Sequence, residues 1–218
     1  SSLVAVAALK DRVVVVFPAS PDGVMTIAQG GLDRPWTAQP LDVASPLLRP
    51  SVGALDAVAA PDGSVIIAVR VRPFALRLYR WTTDGTVTRE DLAPTERPME
   101  HWSTSRCPDV RLDATAKGGV ALAYLGDRRA VLMWKKPNAA DWTTHRTPPL
   151  EYDDTVPFDM GCTNRVQFDA SGLPQLLTLV RTYDRFLGAP TPYDPLQSGP
   201  VAGNEPEFHP RGLVGRAP

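Results

Sequence analysis

The sequence predicts an all-β protein built of successive four-stranded antiparallel units, and three observations predict it. Short apolar runs of strand length alternate with Gly, Asp, Pro and Asn turns along most of the chain. Two landmarks recur at one spacing: the turn after the first run of each unit, and the residue pair that opens the fourth run. The 23 prolines fall almost wholly between the runs or near the C-terminus, which suits strands and loops and argues against long helices.

The units follow in order. The first, about residues 1–50, has runs at Leu3–Leu9, Val13–Phe17 and Val24–Ala28, turns at Lys10-Asp11, Pro21-Asp22-Gly23 and Gly30-Gly31, and a fourth strand at Trp36-Thr37. The second, about 51–105, has Leu55–Ala60, Val65–Val71 and Leu76–Trp81, then Asp84-Gly85 and Val87-Thr88. The third, about 106–160, is the clearest: Val110–Ala114, Val120–Leu125, Val131–Trp134 and Trp142-Thr143. A fourth, about 161–186, opens with Val166–Ala170, Ser171-Gly172 and Leu176–Val180, and then loses regularity. The first turns, at 10–11, 61–63, 117–118 and 171–172, lie roughly 53 residues apart.

Character changes across each unit. Val13–Val16, Val65–Val69 and Val120–Tyr124 are nearly continuous apolar runs, which predict strands buried on both faces. Thr86–Glu90 and Trp142–Arg146 alternate polar and apolar residues, which predicts an outer, solvent-facing strand. With Pro61-Asp62-Gly63, Asp169-Ala170-Ser171-Gly172, Tyr79, Trp134 and Trp142, this gradient resembles the blade repeats of bacterial β-propellers, over about residues 1–185. The resemblance implies about three full blades and a partial fourth. A sialidase-type Ser-x-Asp-x-Gly-x-Thr-Trp box and a WD signature are both absent, so it brings no activity with it.

Residues 187–218 hold seven prolines and five glycines, and are expected to form an extended arm without regular strands. The strands missing from the fourth unit are then expected from sequence outside this chain, from a partner chain, or from an irregular last blade. A half-built sheet would otherwise expose its edges.

The formal net charge of -1 gives no electrostatic reason to expect nucleic acid. No apolar run reaches the length of a membrane span. Lys10-Asp11-Arg12 interrupts the first apolar run and no basic segment precedes it, so the start does not read as a signal peptide; a processed form or a fragment is expected. Cys107 and Cys162 each stand shortly before a strand ending in Asp, at matched places in adjacent units. The expectation is a disulfide, two separate buried thiols being the alternative. A bridge would place the protein in an oxidising compartment: extracellular, periplasmic or envelope.

Few residues suggest chemistry. Glu151, Asp153, Asp154 and Asp159 form the densest set of oxygen ligands and make Ca²⁺ the one candidate cofactor, although their spacing matches no EF-hand loop. His101, His145 and His209 have no ligand spacing and read as surface residues. His101 and Trp102, in the loop 95–106, and Tyr193 and Phe208, in the arm, are the candidate contacts to a ligand or partner. No nucleophile elbow or phosphate-binding glycine loop occurs, so no catalytic residue is assigned. The expected function is a non-catalytic binding or assembly subunit of an extracellular or envelope complex, with a protein partner or second chain completing the fold. The alternative is a carbohydrate-active propeller, a lectin or glycoside-cleaving enzyme, using loops 95–106 and 151–159.

Overall fold

The computed structural model describes residues 3–19, 22–49, 52–71, 75–93, 110–125, 129–147, 161–183 and 208–216. Every regular element among them longer than a single turn is a strand. In the first sheet β1 (Ala5–Ala8), β2 (Val13–Pro18), β3 (Met25–Gly31) and β4 (Arg34–Pro40) pair in sequence order. The second is β5 (Val52–Ala59), β6 (Val65–Val71), β7 (Ala75–Trp81) and β8 (Val87–Leu92). The third is β9 (Val110–Ala114), β10 (Val120–Leu125), β11 (Ala130–Lys135) and β12 (Thr143–Arg146). The fourth is β13 (Gly161–Phe168), β14 (Pro174–Tyr183) and β15 (Phe208–Arg216). All pairings are antiparallel.

One hairpin recurs at four places. The N–H of the first residue reaches the carbonyl four positions on (Ala60 to Ser64, Thr82 to Thr86, Thr115 to Gly119, Asp169 to Leu173), and a glycine N–H returns to the first residue's carbonyl. That glycine is Gly63, Gly85, Gly118 or Gly172, with φ between 81° and 91°. Only glycine enters that region without a Cβ penalty, which is why these turns stand out in the sequence. Asp62 and Asp169 brace their turns by accepting the N–H and hydroxyl of Ser64 and Ser171.

The sheets pack face to face in chain order, and each interface is a separate apolar layer. Ala5, Ala7, Val14, Val16 and Ile27 of the first sheet meet Val65, Ile67, Val69, Tyr79 and Trp81 of the second. The second sheet's other face, with Ile66, Ala68, Leu76 and Leu78, meets Val120, Leu122, Tyr124, Val131 and Met133 of the third. Ala121, Ala123, Leu132 and Trp134 on the third sheet's far face meet Val166 and Leu176 of the fourth. Because side chains alternate along a strand, β6 and β11 feed both layers and are buried almost end to end.

Two expectations change here. The run Val13–Val16 predicted burial on both faces, but only Val14 and Val16 are fully buried, while Val13 and Val15 are half-buried. The neighbouring sheet covers one face of β2, whereas on the other Val13 and Val15 lie outside the apolar layer, with Trp36 over the adjacent Gly30. The arm was expected to hold no regular strand, yet β15 pairs with β14 along its whole length, Phe208 opposite Tyr183 to Arg216 opposite Gln175. Pro210 is tolerated because β15 is the last strand of its sheet, where an absent N–H breaks no second ladder. A smaller difference is that β3 runs through Gly30 and Gly31, with a register shift there, and turns at Leu32-Asp33.

Candidate functional site

First strands stand next to one another through the row, and a repeated hydrogen bond ties them. The Asp56 Oδ2 on β5 accepts the Leu112 N–H on β9 at 2.8 Å, and the Asp113 Oδ2 on β9 accepts the Phe168 N–H on β13 at 2.8 Å. In both cases the donor precedes the aspartate of the next unit, within Leu55-Asp56-Ala57, Leu112-Asp113-Ala114 and Phe168-Asp169-Ala170. Burial pushes the Asp56 carboxyl above the usual carboxylate range, against the Leu112 N–H and the Arg111 guanidinium 3.7 Å away. These ties order the strands; nothing about them suggests catalysis.

Three surfaces could engage another molecule. The first is the outer face of the first sheet. Val6, Val15 and Ala28 share a row across β1, β2 and β3, with Phe17 further along the same face. Val6 is 57% exposed and the neighbouring Val4 48%. Trp36, 56% exposed, lies over Gly30, where a Cβ would overlap the indole. The second is the far face of the fourth sheet, where Leu177 is 46% exposed beside exposed Arg165 and Gln167.

The third is a pair of clefts where the sheets diverge at their hairpin ends. One, of about 530 Å³, lies between the second and third sheets, floored by Ile66, Leu78 and Val120. Trp142 and Lys135 line its third-sheet side, and both are held by Glu90 of β8: the indole N–H donates to Oε1 at 2.8 Å and Lys135 Nζ lies 3.2 Å from the same oxygen. Lys135 Nζ is also 5.7 Å from the centre of the Trp142 ring. Opposite, Arg80 pairs with Asp62 at 2.8 Å. Lys117 and Asn138 stand at the rim, Asn138 in the left-handed region with φ 62°. A second cleft of about 570 Å³, between the third and fourth sheets, shares Lys117, Lys135 and Lys136, with Trp134 and Phe168 on its walls.

The residues singled out from sequence fall mostly elsewhere. His101, Trp102, Cys107, Glu151, Asp153, Asp154, Asp159 and Tyr193 lie outside the described residues. Cys162 is in β13, opposite Val180, and Phe208 and His209 begin β15. His145 is on β12 opposite Leu132. Among the described residues no group of three or more His, Cys, Asp or Glu could hold a metal ion, and no helix is long and apolar enough to cross a membrane. Sequence reasoning missed Glu90, Lys135 and the Asp56–Asp113 series. The recurring Leu-Asp-Ala tripeptide was a readable signal for the aspartates. Nothing local marks Glu90, whose partners lie 45 and 52 residues away.

The chain matches no protein-family model and no curated protein.

Proposed function

We propose that the chain is a non-catalytic assembly module of an extracellular or cell-envelope complex, its four sheets acting as blades of propeller type. The observation that carries this reading is the outer face of the first sheet. Interior sheets are covered on both faces, whereas this one leaves Val4, Val6 and Trp36 about half exposed. Contiguous apolar surface of that kind is a signature of an interaction site. The row also has a direction: at each interface the far face of one sheet meets the near face of the next. The complement of the open face is therefore the far face of another sheet of this kind, contributed by a protein partner or a second chain. A Cys107–Cys162 disulfide, expected from the sequence, would staple the third unit to the fourth and would fit an oxidising compartment.

The native mass of the purified chain, with subunits resolved under non-reducing and reducing conditions, tests the reading. An assembly larger than 23.6 kDa is expected. A lone monomer at every concentration, with no added partner bound, would overturn it.

A further inference from the structure

We propose that the cleft between the second and third sheets binds a carboxylated sugar unit of an acidic glycan. This is a separate site from the assembly surface and does not depend on it.

Shape comes first. At the junction of the first two sheets, the outer strands are closed by Gln39, whose side chain donates to the Gly85 carbonyl at 2.8 Å. Between the second and third sheets Glu90 of β8 reaches Lys135 and Trp142, and a cleft of about 530 Å³ opens alongside. That volume lies in the range of small-ligand sites, which combine an apolar floor with a few placed polar groups. Ile66, Leu78 and Val120 provide the floor.

Charge comes next. The two carboxylates at the cleft are already engaged, Asp62 by Arg80 and Glu90 by Lys135 and the Trp142 indole. Among the described residues, no carboxylate pairs with Lys117, which is exposed at the mouth. Lys136 lies 5.3 Å from the centre of the Trp134 ring and adds a second positive charge at the rim. The cleft therefore carries surplus positive charge, and a complementary ligand brings a negative one.

The third element is Trp142. A lone indole beside hydrogen-bonding side chains suits a ring with an apolar C–H face and a polar edge. A pyranose has both, and its carboxylate meets Lys117 while its hydroxyls meet Arg80, Glu90 and Asn138. Nucleic acid is disfavoured by the net charge of -1 and because, of the two described aromatic residues lining the cleft, Tyr79 is fully buried and only Trp142 is open to stacking.

The test is calorimetric titration of the chain with trigalacturonate, neutral maltotriose and a triglutamate peptide, with tryptophan fluorescence followed in parallel. Saturable binding of trigalacturonate is expected, with neither control binding comparably. Lys117→Glu is expected to weaken it by about tenfold or more, since it reverses a charge in contact with the carboxylate. That variant lies in an exposed turn, so its melting temperature should be unchanged. Trp142→Phe is expected to remove the fluorescence change on binding. Any other pattern overturns the assignment: no saturation below about 10 mM, equal binding of the peptide or the neutral sugar, or wild-type affinity in Lys117→Glu.

Discussion

Asp56 and Asp113 show how one side chain sets the relation between neighbouring sheets. Each accepts a backbone N–H that would otherwise lie unpaired at a junction between first strands. Asp56→Ala is expected to destabilise the fold by about 1–3 kcal/mol in chemical denaturation, because the Leu112 N–H loses its acceptor. Asp56→Asn keeps an acceptor without a buried charge and should stay within about 1 kcal/mol of the parent. The pH dependence has a definite sign. Burial raises the folded Asp56 value above 3.8, so between 3.8 and that value the native state binds more protons than the unfolded chain. This group's contribution therefore falls as pH rises through that window, and Asp56→Asn should remove that slope. Asp42 works the other way. Burial opposes its ionisation, but the Ser45 N–H, Arg89 and the Tyr79 hydroxyl outweigh it and hold the carboxyl low. Its contribution is lost as pH falls below 3.8 towards the folded value. At Gly30, substitution by Ala would force Trp36 off the sheet, costing about 1 kcal/mol and shifting the tryptophan emission.

At the scale of elements, β15 carries the most consequence. Without it, β14 would be an unpaired edge, since β13 and β14 alone make a two-stranded ribbon. Deleting residues 208–218 is expected to lower the melting temperature by several degrees and to promote aggregation, as read by light scattering. An unchanged melting curve would mean that β15 contributes nothing to stability. The outer strands behave as their alternation predicts: β8 is largely exposed, and its buried end, Leu92, joins the layer against the third sheet. In β2 the apolar run Val13–Val16 is intrinsically no different from Val65–Ile67. The difference in burial comes from the neighbours each sheet has.

For the molecule as a whole, the open row of sheets predicts how association should respond to substitution. Val6→Lys together with Trp36→Ser should shift a larger assembly towards monomer in sedimentation, with a fall in melting temperature of no more than about a few degrees, because both side chains lie outside the interior layers. Reduction of a Cys107–Cys162 bridge should lower stability by about 2–4 kcal/mol; indifference to reductant would remove the bridge. Calcium is a parallel case. If residues 151–159 bind the ion in the native state, added Ca²⁺ must raise the melting temperature, and no shift removes that site.

What was legible from the sequence was local. Strand runs, hairpin glycines and the order of strands within each sheet follow from period-two patterning and from turns that only glycine closes readily. Three things waited for the tertiary structure, each because it joins residues far apart in the chain. The fourth sheet takes its third strand from beyond a long connection, so the composition of the arm hid it. Val13 and Val15 keep partial exposure because burial of a sheet face depends on what lies opposite, not on the strand's own residues. The cleft around Trp142 joins residues of two sheets, where Glu90, 45 and 52 residues before Lys135 and Trp142, reaches across to hold both.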